Sequence, residues 1–251
     1  MHCRSISRLW IAALHREWTP TTHKICNHSG KDRTLDINWY GFCCFRLRER
    51  RVTAICDPFS SKTTGIQLPK LNADIVTISS GSSARVQGAG TVGGGPKILR
   101  GPGDYEVKQV LVTGLPTSQN GTRSVAFFLD FGGLTVGHLG ELGQVPDSAG
   151  GEELGDIDVL LAPVSGPHIP DVSRIAEVIS QLDPRIVVPM QYRHEGLRSE
   201  QSDSLEPVDR FLKELGIGEP EMTDTLKLTK NSLPEETQVV LLRPTGAARA
   251  G

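Results

Sequence analysis

The sequence lacks any run of about 18 apolar residues, so it offers no helix able to cross a membrane. It lacks a C-x-x-C pair, the usual spacing of a zinc knuckle. It lacks an excess of either charge: 27 Lys and Arg stand against 29 Asp and Glu, a formal net charge of -2. That balance argues against nucleic acid and against an anionic membrane as partners. No G-x-S-x-G segment is present, which removes the usual nucleophile elbow of a serine hydrolase. The cysteines, Cys3, Cys26, Cys43, Cys44 and Cys56, are odd in number and two are adjacent, so they do not form a disulfide framework. Cys43, Cys44 and Cys56 lie in apolar runs and read as buried free thiols, which implies a reducing, cytoplasmic compartment.

What is present suits one sizeable core. The chain has 251 residues, 37% hydrophobic and 22% charged. Residues 1–34 stand apart: they are rich in Arg, His, Ser and Thr and poor in acids. Their apolar stretch, 9–14, is too short for a secretory signal. This segment reads as a disordered extension or an organellar presequence. One domain is expected over 35–243, and a flexible tail over 244–251.

Along that domain, strands are expected over 35–40, 44–47 and 52–56, the last two around the arginine-rich turn 48–51. Arg46, Arg48, Arg50 and Arg51 alternate along this hairpin and read as a solvated turn. Further strands are expected over 74–78, 97–99, 105–107, 109–113, 124–130, 134–137 and 156–161. Asn120-Gly121 is a turn signal between two of them. Val172, Ile175, Ala176, Val178, Ile179 and Leu182 have helical spacing, and a second amphipathic helix is expected over 205–215. Strands over 185–189, 226–228 and 238–242 complete the set. Consecutive hairpins imply antiparallel pairing and an α/β sandwich. Gly88, Gly90 and Gly93 spell G-x-G-x-x-G, but Pro96 and a strand follow instead of a helix, so a loop is expected and no dinucleotide site.

Seven landmarks recur in a familiar order. They are Ile37-Asn38-Trp39-Tyr40-Gly41 leading to Cys44-Phe45-Arg46-Leu47; Asp57-Pro58-Phe59; and Ala73-Asp74-Ile75-Val76-Thr77-Ile78-Ser79. Then come Gly101-Pro102-Gly103-Asp104-Tyr105-Glu106, Gly137-His138-Leu139-Gly140-Glu141, Asp158-Val159-Leu160-Leu161-Ala162-Pro163-Val164 and Pro189-Met190-Gln191-Tyr192. Together they resemble the metallo-β-lactamase superfamily, in its compact branch of zinc-dependent hydrolases related to the ascorbate-6-phosphate lactonase type. The resemblance implies a four-layer αββα sandwich and, for the family, zinc-dependent hydrolysis.

The same comparison shows departures. The family's H-x-H-x-D-H motif falls on Ser80, Ser82, Ala84 and Arg85. Gln119 and Gln191 stand at two further histidine positions. Glu141 replaces a bridging aspartate, and Phe42 replaces the histidine of an early G-H-S-C-F segment. Asp57 and His138 keep the family identity. Zinc takes imidazole, thiolate and carboxylate. A neutral hydroxyl or amide is a weak donor to it, and an arginine brings a fixed positive charge.

The expectation is therefore a metal-free pseudo-hydrolase that acts as a binding or structural module, with no cofactor. Its remnant cleft would comprise Asp57, Ser80, Ser82, Arg85, Gln119, His138, Glu141 and Gln191, and could take a small-molecule ligand. In it Arg85 would replace the metal electrostatically by pairing with Asp57 or Glu141. The alternative is a hydrolase of an ester, lactone or phosphodiester. It would use a weak metal site of His138, Glu141 and Asp57, or a serine among Ser80, Ser82 and Ser83 facing His138. His168 and His194 read as surface loop histidines.

Overall fold

The computed structural model describes residues 33–60, 64, 66–119, 122–142, 155–166, 169, 171–194, 197 and 204–245, without the side chains of 83, 84, 118, 119 and 122. The expected extension, apart from its last two residues, lies outside this set. So do Asn120, Gly121 and His168.

The chain starts as three antiparallel strands, β1 (Leu35–Trp39), β2 (Phe45–Glu49) and β3 (Val52–Cys56). Trp39 faces Phe45 across one pair and Phe45 faces Cys56 across the next. Two short strands, β4 (Ile75–Thr77) and β5 (Lys97–Leu99), extend this sheet in parallel. A second sheet begins with four antiparallel strands: β6 (Gly103–Val107), β7 (Val110–Gln119), β8 (Thr122–Asp130) and β9 (Thr135–His138). It continues in parallel through β10 (Val159–Pro163) and β11 (Ile186–Met190). The last strands are β12 (Glu221–Thr223), β13 (Leu226–Leu228) and β14 (Gln238–Leu242). The first sheet runs β13-β1-β2-β3-β4-β5 and the second β12-β14-β11-β10-β9-β8-β7-β6.

The alternation of apolar residues explains the layering. Leu35, Ile37, Phe45 and Leu47 share one buried cluster with Phe127, Leu129, Val136 and Leu160 of the other sheet. The opposite face of the first sheet, with Cys44, Ile55 and Val76, packs with Ala89 of helix α1 (Ser83–Ala89). Helices α2 (Val172–Leu182) and α3 (Asp209–Glu214) bury Val172, Ile175, Phe211 and Leu212 in the main cluster. The result is a four-layer αββα sandwich. Among the described residues, no helix is long and apolar enough to cross a membrane.

Four local features differ from the sequence reading. The loop expected from Gly88 is instead the end of α1. Its glycine serves close packing: a Cβ there would meet the Pro58 carbonyl oxygen at 2.4 Å. The helix expected over 205–215 spans only Asp209–Glu214, since Pro207 disfavours a helical residue before it. Strand β7 runs through Pro116 because β6 ends opposite Gly114, leaving an edge where a missing N–H is tolerated. The start of the expected tail is tied down: the Thr245 amide and hydroxyl both donate to the Trp39 carbonyl oxygen, at 2.8 and 2.7 Å.

Candidate functional site at the strand ends

The site assembles where β3, β4, β9 and β11 end. Strand β3 delivers Asp57, which is 1% exposed and turns into left-handed backbone with φ +44°. Phe42 (φ +48°) and Gln191 (φ +56°) share this conformation beside it, and the Gln191 amide donates to the Phe42 carbonyl. Each such non-glycine residue costs on the order of 1–3 kcal/mol, and strain of this kind persists where surrounding contacts enforce it. Gly140 (φ +59°) brings the β9 exit onto β4's exit; a Cβ there would strike the Ser79 Cβ at 2.3 Å.

The polar contacts form one chain of partners. Asp57 accepts the Ser79 amide at 2.7 Å and the Ser79 hydroxyl at 2.5 Å. Arg85, 8% exposed, projects from the first turn of α1. Its Nε lies 3.4 Å from Asp57 Oδ2, and its Nη2 lies 3.0 Å from Glu141 Oε1. Its Nη1 donates to the Ser80 hydroxyl, and Nη2 also reaches the Cys43 sulfur at 3.6 Å. The Cys43 thiol in turn donates to Gln191 Oε1 at 2.8 Å. So one guanidinium touches the exits of β3, β4 and β9 and the β1–β2 turn, and β11 through the thiol.

Electrostatics follow from burial and neighbours. Burial alone would lower the guanidinium's pKa. The Asp57 carboxylate, and after it that of Glu141, outweigh it, so Arg85 stays charged. Burial raises the Cys43 thiol well above its ordinary range, which suits a neutral S–H donor. Cys44 is also raised by burial, and Cys56 is pushed up to about 12 by the same cause. All three are buried free thiols.

His138 is fully buried, and burial holds its imidazole below the ordinary value. Its Nε2 lies 2.9 Å from the Cys43 carbonyl oxygen, so that nitrogen carries the proton. Its Nδ1 is buried without a hydrogen-bond partner. A histidine kept neutral in the fold protonates more readily when unfolded. Its contribution is therefore complete above the unfolded pKa, about 6.5, and is lost as pH falls toward the lower folded value. Urea denaturation at pH 7 and pH 5 is expected to show this. His138→Gln, which can still donate to Cys43, should flatten the acid side of the profile by up to about 1.4 kcal/mol per pH unit. Equal slopes in both proteins would refute the assignment.

The structure gathers Asp57, Ser80, Arg85, Glu141 and Gln191 from the expected cleft. It pairs Arg85 with both carboxylates rather than one. Ser82 does not join them: it stands exposed at the N-cap of α1, where extended backbone turns it outward. Gln119 ends β7 opposite Thr122, and its side chain, like those of Ala84 and Ser83, lies outside the described set. His138 faces the Cys43 carbonyl, and neither the Ser80 nor the Ser82 hydroxyl bonds to it. Nor do His138, Glu141 and Asp57 form a metal-ligating cluster among the described residues. Phe42 packs edge-on against Phe59 with ring centroids 5.6 Å apart. His194 is no solvated histidine: it packs against Trp39 at 5.0 Å, because the loop after β11 folds back over β1. Arg48, Arg50 and Arg51 are exposed, and Arg46 donates to Asn38 Oδ1.

Two participants were missed by sequence reasoning, Ser79 and Cys43. Cys43 had a signal: in Gly41-Phe42-Cys43-Cys44-Phe45 it stands at the serine of G-H-S-C-F. Ser79 had none beyond its place directly after β4.

Comparison with known proteins agrees with this architecture. The profile of a beta-lactamase superfamily domain matches residues 36–191. A UPF0173 protein of Pyrococcus furiosus is 27% identical over 178 residues, covering 63% of this chain and 83% of its own. A UPF0173 metal-dependent hydrolase of Thermoplasma acidophilum is 24% identical over 189 residues, covering 63% of this chain and 83% of its own. A crystal structure from Thermotoga maritima, described as a candidate zinc-dependent hydrolase of the metallo-beta-lactamase superfamily, superposes with TM-score 0.69 at 33% identity. It covers 83% of this chain and 98% of its own. The profile spans more than half of the chain, and β2 to β11 and the strand-end site lie within it. The chain belongs to the metallo-β-lactamase superfamily.

Proposed function

We propose that this chain is a metal-free member of its family, a pseudo-hydrolase that acts as a binding or structural module. The observation that carries this reading is the Arg85 guanidinium, 3.4 Å from Asp57 and 3.0 Å from Glu141. A metal held by those carboxylates would lie about 4 Å from the guanidinium and be repelled by about 8 kcal/mol at an effective dielectric of about 20. The remaining donors do not offset that. Ser80 offers a neutral hydroxyl and Gln191 a neutral amide that already accepts the Cys43 thiol. His138 spends Nε2 on the Cys43 carbonyl, which leaves Nδ1 as its one free nitrogen. This donor set fits an organic cation rather than zinc, and without a metal nothing here lowers the pKa of water toward 7. Glu141, whose side chain is 18% exposed, is the part of the site that a small-molecule ligand would reach. The three buried thiols support a reducing, cytoplasmic location.

The alternative reading keeps the family's metal-dependent hydrolysis, and the relatives' names favour it. It requires Arg85 to leave both carboxylates, with the unpartnered Nδ1 of His138 as the imidazole donor. Metal analysis of the purified full-length chain, with assays of ester, lactone and phosphodiester turnover, separates the two. The proposal expects well under one equivalent of zinc, manganese or iron and no turnover above buffer after metal is added. A stoichiometric metal refutes it, and turnover with that metal establishes the alternative.

A further inference from the structure

The contacts of Arg85 form a site in their own right. Asp57 and Glu141 supply two carboxylates, Ser80 a hydroxyl and Cys43 a sulfur, all around one planar cation. The donors on that cation are spread over Nε, Nη1 and Nη2, so the pocket matches a fork of N–H groups rather than a spherical charge. We infer that Asp57, Ser80, Glu141 and Cys43 form a guanidinium-binding site, which the chain fills with its own Arg85 as a staple joining the strand ends of both sheets. The inference rests on the metal-free reading and says what replaces the metal.

The geometry makes the staple structural. Asp57 sits at the end of β3 in the first sheet, and Glu141 follows β9 in the second. Through Cys43 the same cation reaches Gln191, beyond β11. Asp57 and Gln191 are both left-handed, and Arg85 and its partners hold the segments that carry them. The ordinary alternative is an arginine that happens to neutralise a buried carboxylate. That alternative requires positive charge alone, and lysine would serve as well.

Chemical rescue distinguishes these. The test compares full-length wild type, Arg85→Ala and Arg85→Lys by thermal unfolding. Arg85→Ala is expected to melt well below wild type. Guanidinium chloride at about 10 mM, far below the molar range that unfolds proteins, should raise its Tm saturably. A Kd of about 1 mM would increase its folded-to-unfolded ratio about tenfold at that concentration. Urea, the neutral planar analogue, and sodium chloride should give no rise, and wild type should not respond. Adding Glu141→Gln to Arg85→Ala should abolish the rescue. If Arg85→Ala does not fold alone, it should refold in the presence of guanidinium, and Arg85→Lys, which keeps the charge without the fork, should fold with a Tm well below wild type.

The inference is overturned if Arg85→Lys melts with wild type. It is equally overturned if guanidinium rescues no better than urea, or if zinc chloride stabilises Arg85→Ala more than guanidinium does. These outcomes are separate from those of the metal-free reading, which falls only if the wild-type chain itself carries a stoichiometric metal.

Discussion

Replacing Arg85 with leucine is expected to cost about 3–5 kcal/mol of folding stability, because it strands two carboxylates. Asp57 is 1% exposed and Arg85 is 8% exposed, so water does not take the place of the lost partner. Glu141 is more open and should contribute less. Neutralising the carboxylates tests the cause. Arg85→Leu combined with Asp57→Asn and Glu141→Gln removes the unpaired charges, and should recover much of the loss, since a buried ion group replaced as a whole is often nearly neutral. Urea midpoints of the single and triple variants give the comparison. A triple variant less stable than Arg85→Leu would mean that the carboxylates stabilise the fold without the arginine, and that the staple is not electrostatic.

The second large effect is a gain. The sixfold change Ser80→His, Ser82→His, Ala84→Asp, Arg85→His, Gln119→His and Gln191→His is expected to convert the chain to a zinc binder. It restores imidazole and carboxylate donors and removes the fixed positive charge in one step. The backbone is suited to part of it. Residue 191 is already left-handed at φ +56°, a conformation in which histidine is enriched among non-glycine residues. Asp57 is already presented by the end of β3. Zinc titration of the refolded variant, followed by metal analysis after gel filtration, should give at least one bound equivalent where wild type gives none. A variant that folds and binds no zinc would show that these positions do not converge as the resemblance implies.

Much of this fold was legible from apolar spacing. The pattern at Val172, Ile175, Val178 and Ile179 specified the buried face of α2, and the alternation in β1 to β3 specified the hairpins. Where the reading differed, packing overrode local signals. Gly88 read as looseness, yet its missing side chain lets α1 approach the Pro58 backbone. The short edge strand β12 has an exposed, exposed, half-buried pattern with no apolar periodicity to mark it. The site was legible differently. Asp57, Arg85 and Glu141 came from landmark order, because a chain of hydroxyls, amides and one arginine has no motif of its own. Cys43 escaped because a cysteine in an apolar run looks like core. It is core, 1% exposed, but its thiol is also the link between Arg85 and Gln191. His138 was legible by its letter, but nothing in the sequence tells that its Nε2 faces a carbonyl.

The central claim is that the Arg85 cation stands where the family resemblance implies a metal. It is tested most directly by crystals of the full-length chain grown with excess zinc, with anomalous data collected at the zinc edge. The account predicts no anomalous peak between Asp57 and Glu141, and the Arg85 guanidinium bridging the two carboxylates. A zinc peak coordinated by Asp57 or Glu141, with Arg85 swung out to solvent, would contradict it.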